Sequence, residues 1–489
     1  MKSFFLNLWE DIKNFFGHFR VYLKWLALAL VLGVVLGVVG AGFYYALFYA
    51  GELRGQYPWL IWLLPVAGLV IAALYYFFDK KPQTAENKGT NMVLAAVNGG
   101  EEIPFRMMPL IFVSSAISHL FGASVGREGA ALQMGASLGS TVSRLLKFNE
   151  NDHKVLIMTG MSAAFAAIFG SPLTAAVFSM EVISVGVMYY AALVPCTVSA
   201  LTALYIAKLL GVQYAQYHFD LVPSFGPLSA GKVMLLGILC AVLSIVICYT
   251  LIITEKGMQN VFDNPFIKIF VAGTVVALLT LLVGNQDYNG LGAAVILQAA
   301  AGHAVWYAFL LKLLFTAVSL AGGYRGGEIV PSLFIGATFG CFAAGFLGLP
   351  PGVGAALGMI AVFCGVTNSP IASFIMGLEL FGGQGMWMFG LVVAVSYMLS
   401  GYYGLYKSQL IIYAKGMTPQ VVDKACSSLD ILPTISNLMG LEYDSRLLMG
   451  KDVFSTADPL VIFANRSWIT DKAMFNPETG ELIQLTDEA

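Results

Sequence analysis

The chain has 489 residues, 58% of them hydrophobic and 11% charged, with a net charge of −2, and its mean hydropathy is +0.78. A soluble globular domain carries about 25% charged residues, so too little polar surface remains here to cover a large soluble core. There is no basic stripe for nucleic acid, and a spanning β-barrel would alternate over segments of about 10 residues, which leaves an all-α polytopic membrane protein.

Along the chain, residues 1–21 come first. Phe4, Phe5, Leu8, Trp9, Ile12, Phe15, Phe16 and Phe19 recur at helical spacing beside Lys2, Lys13 and Arg20. This pattern predicts a helix lying in the membrane interface rather than a signal peptide; the alternative is a simple extension of the first span. Residues 25–51, 55–78, 155–180 and 182–207 each run without a charge, long enough to cross the roughly 30 Å hydrocarbon core. Many other apolar segments are shorter and are interrupted by Gly or Pro, as in 104–121, 127–145, 354–366 and 370–382. Such broken segments in matching positions of two halves point to a binding site near the bilayer midplane.

The halves do match. Gly160-Met161 leads to Ser171-Pro172 and then Glu181, and Gly358-Met359 leads to Ser369-Pro370 and then Glu379, at an offset of 198 residues. Gly126-Arg127-Glu128-Gly129 is followed by Gly326-Gly327-Glu328-Ile329, which sets Glu128 against Glu328 at an offset of 200. We therefore expect a two-fold internal repeat of short, broken helices, with repeats at 22–212 and 228–415. Their relative orientation is left open by the sequence.

Gly126, Arg127, Glu128 and Gly129 follow one apolar segment and open the next. Glycine lets a backbone approach a ligand closely, and a helix start presents unpaired amides and a positive dipole end to an anion. A carboxylate at membrane depth is costly and points to function. Glu128 can act as a tethered surrogate that occupies the anion site and frees it when protonated; the plain alternative is a capping ion pair with Arg127. Glu328 repeats the design before Pro331, again with a cap or an Arg325 pair as the alternative. The six cysteines, 196, 240, 248, 341, 364 and 426, and His119, His153 and His303 form no metal-ligand spacing. No cofactor or metal is expected.

The stretches GREGAALQMG (126–135) and GSPLTAAVFSMEV (170–182), the Gly-Gly-x-x-x-Pro at 326–331 and the late Gly404-Leu405-Tyr406 resemble those of CLC chloride channels and transporters, across roughly residues 10–415. The resemblance implies inverted repeats and a homodimer with one pore per subunit in the bacterial inner membrane. It implies transport of chloride or fluoride, coupled to protons through Glu128 as gate. It places the anion against the Tyr406 hydroxyl and the amides of Glu328 and Ile329. The partners implied are the anion, protons, membrane lipid and a second copy of the chain.

Two departures stand out. The family's Gly-Ser-Gly-x-Pro loop corresponds to Asn87-Lys88-Gly89-Thr90-Asn91, so either Lys88 or, after a slip, Thr90 takes the serine's place beside Gly89. Fluoride-exporting members also depart in this loop. The inner proton-transfer glutamate of many exchangers falls on Val182, after Glu181. Channels of the family lack that glutamate, and so do some exchangers, so an uncoupled channel is the alternative function. Glu181 itself reads as a structural carboxylate at a helix end.

Residues 416–489 change character to a small soluble α+β pattern, with strands at 459–464 and 467–470 and a turn at 476–480. Residues 427–481 resemble the C-terminal end of lipoteichoic-acid synthase-type phosphoglycerol transferases. The catalytic threonine and metal ligands of those enzymes lie upstream of that stretch and have no counterpart here. We expect a fused fragment without transferase activity, so the chain is not expected to be an enzyme; a docking module is the other reading of this tail, and a membrane-anchored cell-wall phosphoglycerol transferase, suggested only by the tail, is a third reading of the chain's function.

Overall fold

The computed structural model describes residues 2–78, 89–99, 103–183, 188–214, 217, 223–401 and 404–406, and, beyond these, 430–439, 451–455, 458, 461–462, 468–470, 472–476 and 481–484. Up to residue 411 the chain forms one compact unit, and residues 412–489 form a second.

The described residues of the first unit hold two sets of eight α-helices. The first set is α1 (Lys2–Gln56), α2 (Leu64–Phe78), α3 (Thr90–Gly99), α4 (Met107–Leu120), α5 (Glu128–Leu145), α6 (Glu150–Phe169), α7 (Pro172–Glu181) and α8 (Leu193–Leu209). The second is α9 (Pro227–Val261), α10 (Pro265–Val283), α11 (Ala293–Ala300), α12 (Ala308–Gly322), α13 (Ile329–Leu347), α14 (Pro351–Thr367), α15 (Pro370–Phe381) and α16 (Met386–Ser400). Helix α1 runs through the N-terminal stretch and the first span without a break. The packing repeats member by member: α5 packs on α6 as α13 on α14, α1 on α8 as α9 on α16, and α4 on α5 as α12 on α13. The two sets meet mainly through α2 with α10 and α7 with α15.

The sets run in opposite senses. Lys24, near the start of the first span, pairs with Asp152 at the start of α6 (3.0 Å). At the far end of α1, the Arg54 guanidinium donates to the His119 carbonyl (2.7 Å). Helix α2 begins at that far end, and its last turn returns to the Lys24 face, where Tyr76 meets Phe266 at the start of α10. Helix α10 then crosses outward, so that Gln286, just beyond it, donates to the Pro58 carbonyl (3.0 Å). Helix α9 starts on this second face, where Lys232 donates to the Gly348 carbonyl (3.0 Å), and ends on the first. Thus α1 and α9, and α2 and α10, cross in opposite directions, which is the inverted relation expected.

Among the described residues, six helices are long and apolar enough to cross a membrane. In lipid, helix association relies on close backbone contact through small residues. Gly135 of α5 faces Gly160 of α6, and a Cβ on either would lie 2.1–2.2 Å from the other's carbonyl oxygen. Gly336 and Gly358 repeat this contact between α13 and α14.

The Ser-Pro helices show the repeat most directly. Both begin with proline, whose missing N–H costs nothing in a first turn. Each carries its Glu at or near the far end, and that carboxylate caps the other helix. Glu181 accepts from the amides of Ile371 (3.0 Å) and Ala372 (2.8 Å). Glu379 accepts from the amides of Leu173 and Thr174 (both 2.9 Å) and from the Thr174 hydroxyl (2.7 Å). A hydrogen bond to a charged group is worth about 1.5–3 kcal/mol. Glu181→Ala and Glu379→Ala should each lower the detergent-solubilised unfolding temperature by several degrees and by similar amounts. A thermal-shift measurement in which either leaves the midpoint unchanged contradicts the reciprocal cap.

The second unit contains α17 (Ile431–Leu438) and a four-stranded antiparallel meander of β1 (Val461–Ile462), β2 (Trp468–Ile469), β3 (Ala473–Asn476) and β4 (Glu481–Gln484). The two strands expected from sequence are β1 and β2; the turn expected at 476–480 lies largely outside the described residues.

Candidate functional site

The site is built where the two glycine loops meet. Gly126 and Gly327 form an isolated antiparallel bridge, with Gly126 N–H donating to the Gly327 carbonyl (2.6 Å) and Gly327 N–H donating to the Gly126 carbonyl (2.8 Å). Only glycine permits this approach. A Cβ on Gly327 would stand 2.5 Å from the Gly129 nitrogen, and one on Gly129 would stand 2.9 Å from the Gly327 Cα. Immediately past the bridge, α5 begins at Glu128 and α13 at Ile329. Two helix N-termini therefore converge on one place, and both offer unpaired amides to a negative charge.

This corrects the repeat register. Counting from the helix starts, Glu128 corresponds to Ile329, and Glu328 corresponds to Arg127, the residue preceding α5. The offset is 201 here and 198 at the Ser-Pro helices. Glu128 and Glu328 are not symmetry mates. They are neighbours contributed from different positions.

The loop before Glu128 is fixed from the other repeat. Ser124 N–H donates to the Ser319 hydroxyl (3.0 Å), and Ser124 Oγ lies 3.0 Å from Thr316 Oγ1. Asn289 Nδ2 donates to the Gly122 carbonyl (2.8 Å), and Gly290 N–H donates to that of Ala123 (3.1 Å). Behind them Lys312, fully buried, donates to the carbonyls of Tyr288 (3.1 Å) and Gly290 (2.7 Å). Lys312 was not singled out from sequence, where a lysine in an apolar helix reads only as an interruption.

Glu128 is completely buried. One carboxylate oxygen accepts from the Arg127 amide (3.1 Å), and the other lies 3.8 Å from the Arg127 guanidinium. The carboxylate also falls within electrostatic reach of its own amide and of Val330 on α13. It thus sits at the N-termini of both helices, where a free anion would be attracted.

Around the same point, Gly89 takes a left-handed turn (φ +63) into α3, and Thr90 at its start is buried. A Cβ on Gly129 would lie 3.3 Å from the Thr90 hydroxyl. Tyr406 is brought in by the hydrogen bond from Leu405 N–H to the Val366 carbonyl (2.8 Å). The hydroxyls of Thr90 and Tyr406 are both buried at this point. The Glu328 carboxyl lies within electrostatic reach of both hydroxyls and of Glu128. Of the two candidates in the Asn87–Asn91 loop, Thr90 lies beside Gly129; Lys88 lies outside the described residues. A cavity of about 160 Å³ opens beside Thr90 and Glu328 and is also lined by Gln133, Arg325 and Glu255.

Glu181 and Val182 stand apart from this cluster. Glu181 is committed to capping α15, and Val182 closes α7 as a buried apolar residue.

The profile of the family described as "Voltage gated chloride channel" matches residues 67–401. The chain belongs to the CLC family. A relative named "Chloride/fluoride channel protein" from Pseudomonas syringae pv. tomato is 34% identical, over 81% of this chain and 88% of its own length. The crystal structure of a CLC-type fluoride/proton antiporter superposes with a TM-score of 0.76 at 30% identity, covering 79% of this chain and 98% of that one. An H(+)/Cl(-) exchange transporter ClcA from Vibrio campbellii is 24% identical over 73% of this chain and 81% of its own. The family match ends before the 412–489 unit. As a CLC chain with six membrane-length apolar helices among its described residues, this is an integral membrane protein.

Proposed function

We propose that the chain exchanges a small halide, chloride or fluoride, for protons across the bacterial inner membrane, with Glu128 as the gate that both ions contend for. The observation that carries this reading is the Glu128 carboxylate at the joint N-termini of α5 and α13. A carboxylate there blocks the anion by taking its place, and protonation removes the charge that holds it. Anion and proton thereby alternate at one point. Helix ends and hydroxyls attract an anion without a full opposing charge, so binding stays weak enough for release.

The anion is held, in this reading, by the amides at Glu328 and Ile329, the backbone of Gly126, Arg127, Gly129 and Gly89, and the hydroxyls of Thr90 and Tyr406. Tyr406→Phe removes one donor from a site where few exist. It should weaken anion binding by about fivefold to tenfold, as a lost hydrogen bond of about 1–1.5 kcal/mol requires, measured by isothermal titration with fluoride and with chloride. Equal affinity in the variant removes Tyr406 from the site.

The face carrying Lys24, Lys147, Lys256 and Lys268 is assigned to the cytoplasm by its excess of basic residues. Gly122, Ala123 and the loop to Glu128 then approach from outside. A homodimer with a pathway in each subunit is carried over from the family resemblance. The apolar Val182 favours one competing reading, an uncoupled channel. Halide efflux from liposomes holding the purified protein tests the transport claim: rapid efflux of fluoride or chloride supports it, and no efflux of either ends it. The tail is read as a fused fragment without transferase activity.

A further inference from the structure

Proton exchange needs a carboxylate reachable from the cytoplasmic face, and the position the family resemblance offers is Val182. Glu181 next to it already has both oxygens on the amides of Ile371 and Ala372 (3.0 and 2.8 Å). The cavity beside Thr90 suggests another way in. Its volume of about 160 Å³ gives room for several water molecules, and its walls include polar groups to hold them: Thr90, Gln133, Arg325 and Glu328. Among the described lining residues two carboxylates occur, Glu328 at the anion site and Glu255.

Glu255 stands at the aqueous edge. Helix α9 carries no charge between Lys232 and Glu255, a stretch of 22 residues and roughly 33 Å at 1.5 Å per residue, which matches the hydrocarbon thickness. Six residues beyond Glu255 α9 ends, and α10 begins on the same face. Gln259, one turn on, donates to the Glu255 carboxylate (3.2 Å). Lys268 on α10 is within electrostatic reach of both Glu255 and Arg325, and Arg325 stacks on Tyr75 of α2 (3.8 Å). A carboxylate on the wall of an anion route works against conduction, so its presence asks for a use.

We propose that Glu255 is the proton-entry residue of the cytoplasmic face, taking a proton from bulk water and passing it through water in the Thr90 cavity to Glu328, and from there to Glu128. At each step one carboxylate loses the proton that the next one gains. Anions use the same cavity and stop at Thr90 and Tyr406, so the two ions share the vestibule and part at Glu328. The inference rests on the proton coupling proposed above.

The test is Glu255→Gln in liposomes, with halide efflux and proton uptake recorded together. Halide efflux should stay within about threefold, while the ratio of protons to halide falls about tenfold or more, the scale of losing a positioned proton carrier. Glu255→Asp, which keeps a titratable group, should retain the ratio within about twofold. A purely structural Glu255 would change rate and stability and leave the ratio alone, so an unchanged ratio in Glu255→Gln overturns the inference. Should Glu255→Gln carry no halide at all, Glu255→Asp and Glu255→His decide: a ratio kept in both supports the inference, and a ratio lost in both overturns it. If the unmutated protein moves halide without protons, the coupling itself has failed, a result distinct from any of these.

Discussion

Glu128→Gln is expected to pass halide with no accompanying proton. Glutamine keeps the size of the side chain and removes both its negative charge and its proton. It therefore imitates the protonated gate permanently. The side chain no longer competes for the amides of Arg127 and the α13 start, and halide crosses whenever it reaches them. Proton movement should fall by about 100-fold or more, within the range that loss of a general acid–base group produces, while halide flux persists. Paired recordings of halide and pH from the same liposomes measure both. If Glu128→Gln stops halide as completely as protons, the carboxylate is holding the structure together and the tethered-gate account fails.

Gly327→Val should abolish transport of both ions. The Gly126–Gly327 bridge brings two backbones together, and any Cβ on Gly327 would stand 2.5 Å from the Gly129 nitrogen. The N-terminus of α5 must shift to make room, and that end carries Glu128. A displacement of about 1 Å at a reacting centre can cost about 100-fold. Loss of flux in a variant that still elutes as the folded species during gel filtration is the predicted outcome. Gly345→Ala on α13, the helix that follows Gly327, provides the comparison: a Cβ there meets nothing within 4 Å, and flux should be unchanged. Gly327→Val with ordinary flux would mean that the bridge does not set the gate.

Much of the helical frame could be read from the sequence because membrane-spanning helices announce themselves by long charge-free runs, and α1, α2 and α8 lie where such runs lie, whereas the run at 155–180 is divided between α6 and α7 at Gly170-Ser171. The Ser-Pro…Glu pattern also exposed the repeat. Its physical purpose did not show, since the carboxylate of each half caps a helix 191 or 205 residues away. Helices α3 and α11, at 10 and 8 residues, escaped because each is too short to print a period. The repeat register was misjudged by one residue at the site because Glu128 and Glu328 look alike, and identical letters were matched before helix starts. The backbone corrects this: the bridge pairs Gly126 with Gly327, and an isolated glycine pairing leaves no side-chain pattern to read. Glu255 and Lys312 were passed over for a related reason. Each is a single charge near an apolar run, and its meaning depends on the cavity or the carbonyls that the other repeat brings to it.

The most direct test of the central claim sets one ion against the other. Liposomes holding the purified chain are loaded with fluoride, and in a second set with chloride, and placed in halide-free medium at matched internal and external pH. The account predicts that halide leaving down its gradient drives protons inward, so that the outside turns alkaline and a proton gradient builds from nothing. Halide efflux at the same rate with no change in external pH would contradict it and leave the chain an uncoupled channel.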